Sequence, residues 1–232
     1  MKLSIILPTY NERNNILLLV KNILEICKNF KEIEIIIVDD NSPDNTYEHC
    51  KENLKDKIFK IFLRKQDRSL AKSINFGIQK SSGDKIIVMD TDHTHDPKYI
   101  PEFITLSNKF DLVIGSRFSE GGKMLSTIHH YFSYFFNIFL RILLNTNVKD
   151  NLGGYFCLNR RVLDRVELQK IFYGYGEYFF RLIFYLNKKK ITIKEVGVIY
   201  NLRLKDKSKS NFFKLFFKYT FEAVKLRIKN LF

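Results

Sequence analysis

Asp90 and Asp92 stand one residue apart directly after the apolar run Lys85–Met89, in the segment Met89-Asp90-Thr91-Asp92. Hard divalent cations such as Mg²⁺ and Mn²⁺ take oxygen ligands and fill their remaining positions with water and phosphate oxygens. Carboxylates at that spacing could hold such a cation while it also grips a diphosphate. The metal would then neutralise charge on a departing nucleoside diphosphate. The same pair would serve a solvated turn as capping aspartates, so the spacing alone leaves both readings open. Asp39-Asp40, after Ile35–Val38, is ambiguous in the same way: it could hydrogen-bond a base or ribose, or cap a helix. His93 and His95 would make a more zinc-like site, but no further His or Cys cluster accompanies them.

These groups need elements to position them. The first half alternates short apolar runs (Leu3–Leu7, Ile33–Val38, Ile58–Leu63, Lys85–Met89, Leu112–Ile114) with amphipathic stretches. In Glu12–Lys28, for example, Ile16, Leu19, Val20, Ile23 and Leu24 recur at helical spacing. Strands alternating with helices predict an α/β fold, a mainly parallel sheet with helices on both faces. Polar residues sit just past the strand ends, at Thr9-Tyr10-Asn11-Glu12, Asp39-Asp40, Asp90-Thr91-Asp92 and Ser116-Arg117. Ligands of open α/β sheets bind beyond the carboxyl ends of the strands, so these four ends predict a single site.

The second half changes character. His129–Leu144 is aromatic-rich and helical in spacing, Asp150–Leu158 holds a tight turn at Gly153-Gly154, and Tyr178–Leu186 is apolar. Ile191–Ile199 reads as a strand, and a basic loop, Arg203–Lys209, leads to a final helix. In that helix Phe213, Phe217, Phe221, Val224, Ile228 and Leu231 recur on one face, with Lys214, Lys218, Lys225 and Lys229 on another and Glu222 among them. Such a helix can lie in a lipid headgroup plane, pack on its own domain, or meet a membrane-spanning partner. With no internal repeat or low-complexity linker, the expected organisation is one catalytic domain over 1–210, including a helical region at 127–145, followed by a basic amphipathic helix over 211–232.

Composition narrows the function classes. Hydrophobic residues at 45% and charged residues at 28% describe a folded chain rather than a disordered one. A net charge of +14 favours anionic partners: nucleic acid, phosphorylated ligands or an anionic membrane. No nucleic-acid-binding module is recognisable, so nucleic acid is not an expected partner. Cys27, Cys50 and Cys157 lie far apart without a CxxC pair, which suggests neither a disulfide framework nor zinc. No secretory leader is visible, and Ser133, Asn137 and Arg141 interrupt Tyr131–Leu144, the stretch nearest to a bilayer span. The expectation is a cytoplasmic protein, peripheral to the cytoplasmic face of a membrane, with no transmembrane helix.

Taken in order, Pro8-Thr9-Tyr10-Asn11-Glu12, Val38-Asp39-Asp40-Asn41-Ser42-Pro43-Asp44-Asn45-Thr46, Met89-Asp90-Thr91-Asp92 and Val113-Ile114-Gly115-Ser116-Arg117-Phe118 resemble the family 2 glycosyltransferases. Within that family the likeness is to dolichol-phosphate mannose synthases and related polyprenyl-phosphate glycosyltransferases. The resemblance implies a GT-A fold, a Rossmann-like sheet with a D-x-D metal site. It implies Pro8, Tyr10, Glu12, Asp39 and Asp90 at the nucleotide, and Asp90, Asp92 and Thr94 on Mg²⁺ or Mn²⁺. It places Arg117, His129, Ser133, Asn137 and Arg141 at the acceptor, the last three in an S-x-x-x-N-x-x-x-R pattern whose spacing puts them on one helical face. Arg203 with Ser208-Lys209 resembles a loop that closes over the diphosphate, so that Asp92, Arg117, Arg203 and Lys209 would carry catalysis. The implied reaction is inverting transfer of a sugar, mannose from GDP-mannose foremost, to dolichyl or polyprenyl phosphate. A UDP-sugar donor or a soluble glycan acceptor is the alternative within the family, Glu177 then being the candidate base. A non-catalytic nucleotide-sugar-binding protein is the alternative outside it. The chain departs from the family pattern at Ser69-Leu70-Ala71, where G-L-G is usual, at Thr94 and His129, at Asp206 in the closing loop, and in Asp150-Asn151-Leu152-Gly153-Gly154-Tyr155.

Overall fold

The computed structural model describes residues 1–125, 127–202 and 212–230, with the backbone alone at 127–129 and 212–214. In the first half, β1 (Lys2–Thr9), β2 (Glu32–Asp39), β3 (Phe59–Leu63), β4 (Lys85–Val88) and β5 (Leu112–Ser116) alternate with α1 (Ile16–Ile26), α2 (Thr46–Asn53), α3 (Leu70–Lys80) and α4 (Ile100–Leu106). There follow β6 (Lys123–Met124), α5 (Thr127–Leu144), β7 (Phe156–Asn159), α6 (Leu168–Ile171), α7 (Tyr178–Lys188), β8 (Ile193–Gly197), β9 (Ile199–Tyr200) and α8 (Phe212–Ile228).

Seven strands form one sheet in the order β3-β2-β1-β4-β7-β5-β8. All neighbouring pairs are parallel except those of β7, which is antiparallel to both β4 and β5. The strands read as continuous apolar runs because both faces are covered. Leu3, Ile5 and Leu7 join Leu19 and Ile23 of α1 and Phe103 of α4 in one core. Ile6, Ile36 and Val38 join Ile74 of α3 and Phe179 of α7 in the other. The expected α/β fold, mainly parallel with helices on both faces, is the one observed.

Two features differ from the sequence reading. The stretch 150–158, read as a turn, ends in β7, which pairs Cys157 with both Ile87 and Val113. Its short apolar run carried no period of its own, and the gap between β4 and β5 decides its structure. The strand expected over Ile191–Ile199 is split: β8 joins the large sheet, while β9 pairs with β6 in a small second one. Gly197 sits at the break, where a Cβ would run into the carbonyl of Glu120.

The final helix, α8, packs on α5 and α7, burying Ala223 and Leu226 with Phe136, Leu140, Phe180 and Phe184. The face read as apolar from the spacing points elsewhere: Phe217 is 68% exposed and Phe221 66%. The side chains of Phe213 and Lys214, and Leu231 altogether, lie outside the described residues. No helix among the described residues is long and apolar enough to cross a membrane.

Candidate active site

Beyond the carboxyl ends of β1, β2 and β4 lies a cavity of about 770 Å³. This is where the strand order reverses about β1 and β4, the usual place for a ligand in such a sheet. Pro8, Thr9, Tyr10 and Glu12 reach it from β1, Asp40 from β2, and Asp90, Thr91 and Asp92 from β4. The start of α3 supplies Arg68 and Ser69, the segment before α7 supplies Tyr173–Tyr175, and α8 supplies Leu215 and Lys218.

Hydrogen bonds explain how each strand end is shaped. Asp39 is fully buried and does not line the cavity. It accepts from Thr9 Oγ1 at 3.0 Å and from the Ser42 N–H at 2.9 Å, holding a turn whose Asn41 has φ 60°, a value Asn tolerates. Asp40 faces the cavity instead. It accepts from Arg64 at 2.6 Å and from the Ser69 N–H at 2.6 Å, while burial pushes its carboxyl up. The Arg68 guanidinium lies 4.4 Å from the centre of the Tyr10 ring and donates to the Tyr10 hydroxyl, and Asn15 Nδ2 donates to Glu12 at 2.8 Å. Ser69 explains the departure from G-L-G. Its backbone is extended at φ −165°, open to any residue, and its hydroxyl accepts from the Lys72 N–H at 3.2 Å to cap α3.

The D-x-D loop is tied down from behind. Asp92 Oδ1 accepts from the Thr94 N–H at 3.1 Å and from Thr94 Oγ1 at 2.6 Å. His95 Nδ1 accepts from the Asp90 N–H at 2.8 Å, which puts the ring proton on Nε2, 3.8 Å from Asp90 Oδ2. Burial lowers the His95 pKa to about 4, so the ring is neutral near pH 7. It stacks on Tyr155 at 4.8 Å and meets the edge of Tyr200 at 4.7 Å. His93, at φ 66°, places Nε2 3.2 Å from the Asn15 carbonyl. Among the described residues no group of three or more His, Cys, Asp and Glu could hold a metal by itself. Asp90 and Asp92 can therefore supply only part of a cation's shell. An all-oxygen partial set of this kind fits Mg²⁺ or Mn²⁺ completed by phosphate and water, and does not fit a closed zinc site.

Arg117 lies outside the cavity lining. It is 7% exposed, donates from Nε and from a terminal nitrogen to Asp150 at 2.8 Å each, and runs between Phe118 and Tyr200 at 5.2 and 5.0 Å. Burial works against the Asp150 charge, but the guanidinium beside it holds its carboxyl below the usual range. On α5, Asn137 donates to the Ser133 carbonyl at 2.8 Å and accepts from the Asn151 N–H at 2.6 Å, so it ties the helix to the 150–154 loop. Ser133, Asn137 and Arg141 likewise stand outside the cavity lining. The side chain of His129 and the residues Arg203, Asp206, Ser208 and Lys209 lie outside the described residues. The structure thus gathers Pro8, Tyr10, Glu12, Asp90 and Asp92 around one cavity. It adds Arg68, Tyr173 and Lys218, which no motif pointed to; for Arg68 the only signal was its place before the Ser69-Leu70-Ala71 turn.

Residues 4–167 match the family described as Glycosyl transferase family 2. The chain is 36% identical over 176 residues to the dolichol-phosphate mannosyltransferase of Pyrococcus furiosus, a match covering 74% of this chain and 50% of that protein. It is 29% identical over 184 residues to the undecaprenyl-phosphate mannosyltransferase of Micrococcus luteus, covering 76% of this chain and 74% of that one. The chain thus spans half the length of the first of these relatives. Among solved structures, glucosyl-3-phosphoglycerate synthase from Mycobacterium tuberculosis, in complex with Mn²⁺, UDP and phosphoglyceric acid, is similar in fold. Its TM-score is 0.72 at 14% identity, over 98% of this chain and 78% of that one. A sheet with its D-x-D pair at the β4 end, the GT-A arrangement, and a sequence match running from Ser4 to Glu167 agree: the chain belongs to glycosyl transferase family 2.

Proposed function

We propose that the protein transfers a sugar, mannose from GDP-mannose foremost, to the phosphate of a dolichyl or polyprenyl lipid at a membrane surface, with inversion at the anomeric carbon. The observation that carries this reading is the cavity itself, where Asp90 and Asp92 share one wall system with Tyr10, Arg68 and Asp40. The likeness to two polyprenyl-phosphate mannosyltransferases supports the same substrates. Tyr10, stiffened by Arg68, offers a ring for the base, and Glu12 and Asp40 offer acceptors for base or ribose hydrogens. Asp90 and Asp92, with Thr94 orienting the second carboxylate, would hold Mg²⁺ or Mn²⁺. That cation, when bound, supplies charge neutralisation for the departing diphosphate. A lipid phosphate oxygen attacks the anomeric carbon, the bond to the diphosphate oxygen breaks, and the nucleoside diphosphate leaves with the electron pair. A phosphate nucleophile is already anionic near neutral pH and needs no base, so the chain's work is alignment and electrostatic stabilisation.

A soluble glycan acceptor would need a base, and Glu177 is poorly placed for it. Its carboxylate is buried, ion-paired to Lys218 at 2.8 Å, and accepts from the Tyr175 N–H at 3.0 Å. The deciding assay incubates purified protein with GDP-mannose, UDP-glucose or UDP-N-acetylglucosamine, Mn²⁺ or Mg²⁺, and a short polyprenyl phosphate. Mannosyl lipid should form, should disappear in chelator, and should be absent with Asp92→Ala. Equal transfer to the free polyprenol, or full activity in chelator, would overturn the reading.

A further inference from the structure

We propose that Lys218, carried on α8, is a phosphate ligand of the cavity, held in place by the buried carboxylate of Glu177. The inference rests on the glycosyl-transfer reading of the same site and adds a residue to it. Lys218 Nζ stands 2.8 Å from Glu177 Oε1, with the lysine side chain 42% exposed and the glutamate 1%. An ammonium has three donors, and Glu177 engages it from the buried side. The lysine also lines the cavity that holds Asp90 and Asp92, so a phosphate entering there meets the ammonium before the carboxylate behind it. A buried carboxylate paired at the cavity wall fixes the position of its partner, which a surface lysine otherwise lacks.

The surroundings hold the arrangement at further points. Glu177 Oε2 accepts from the Tyr175 N–H, and the Tyr173 hydroxyl donates to Glu222 of α8 at 3.1 Å. Arg181, fully buried on α7, reaches the same Glu222 at 3.4 Å. The segment 173–177 and α8 therefore form one wall of the cavity, joined by the Glu177–Lys218 ion pair and the Tyr173–Glu222 hydrogen bond. Gly174 is required in it: its φ is 76°, and a Cβ there would strike the Glu177 carboxylate. The preceding residue of α8, Phe217, is exposed, so the ammonium sits where the cavity meets the apolar flank of the helix. Two phosphates could occupy that place, the donor diphosphate and the acceptor lipid phosphate.

The test uses Lys218→Met, which keeps most of the stem, and the double variant Lys218→Met/Glu177→Gln, which removes both charges. Titration calorimetry with nucleoside diphosphate and Mn²⁺, and with inorganic phosphate, reads binding. The KM for a short polyprenyl phosphate reads the acceptor, and Tm reads folding. Lys218→Met should weaken one of these phosphates at least about tenfold, the loss expected for a charge-assisted contact. The double variant should regain the wild-type Tm yet keep that defect. A change in the diphosphate Kd assigns Lys218 to the donor, and a change in acceptor KM alone assigns it to the lipid phosphate. A double variant with wild-type Kd and KM values overturns the proposal and leaves Lys218 as a counter-charge for Glu177. If the wild type fails to glycosylate polyprenyl phosphate, the acceptor reading fails and the calorimetric comparison still decides on Lys218.

Discussion

Arg117 donates to Asp150 through two side-chain nitrogens, and its own backbone N–H adds a third bond to the same carboxylate at 3.0 Å. The Lys149 and Asp150 N–H groups in turn donate to Glu195 at 2.8 and 3.0 Å, which pins the loop carrying Asp150. A guanidinium held this way behind the D-x-D loop is positioned before any substrate arrives. Removing its partner would leave a buried charge uncompensated, which typically costs about 3 kcal/mol or more. Asp150→Asn should accordingly lower the unfolding free energy by about that amount in urea titration. An unchanged midpoint would show that the pair is solvated enough to be dispensable. Activity lost by any Arg117 variant has to be read beside its Tm, because the same pair supports the fold.

At the scale of elements, α3 shows how a local substitution is absorbed. The cavity needs the start of this helix close to Asp40, and the Ser69 N–H meets that carboxylate. With φ at −165° no glycine is required, and the serine hydroxyl caps the helix that a glycine would leave uncapped. Ser69→Ala should cost about 1 kcal/mol of stability, whereas Ser69→Gly, the family's usual residue, should cost only a few tenths. Chemical denaturation of the two variants checks the order; a Ser69→Ala variant as stable as the wild type would mean that the hydroxyl's bond to the Lys72 N–H carries no weight. The final helix is a second case. Its burial through Ala223 and Leu226 means that cutting it off would uncover Phe180 and Phe184, so truncation is a poor probe of what its outer face does.

Over the whole molecule, the exposed apolar side chains gather on α5 and α8. Phe135 and Ile142 of the first and Phe217 and Phe221 of the second all stand in solvent. The rings of Phe139, Phe136, Phe216 and Phe217 run from one helix to the other with centroid spacings of 5.6, 5.2 and 5.6 Å. Lys218 and Lys225 flank them on α8, with Lys229 just past its end. An apolar strip with basic borders suits the headgroup region of an anionic membrane, where each lysine adds roughly 1 kcal/mol. The protein should therefore sediment with anionic vesicles in a salt-sensitive manner. Phe217→Ser/Phe221→Ser should sediment less at an unchanged Tm, since neither ring is buried. Undiminished sedimentation of that variant would remove α8 from the membrane contact.

The sequence by itself determined the layered α/β architecture, because strands buried on both faces must be apolar throughout and the helices between them must show a 3.6-residue period. It also determined that Tyr10, Glu12, Asp90 and Asp92 would meet, because a parallel sheet brings the carboxyl ends of its strands to one edge. What it left open lay in contacts between residues distant along the chain. Asp39 and Asp40 are chemically alike and adjacent, yet strand alternation turns the first into the interior and the second toward the cavity. Arg117 was legible as a charge but not as the partner of Asp150, 33 residues away. The helical period of α8 gave two candidate faces, and packing against α5 and α7 chose a third, through the small Ala223 that allows close approach. Lys218 came to the cavity by that choice alone: spacing along a helix says which residues share a face, and only the docked helix says what that face meets.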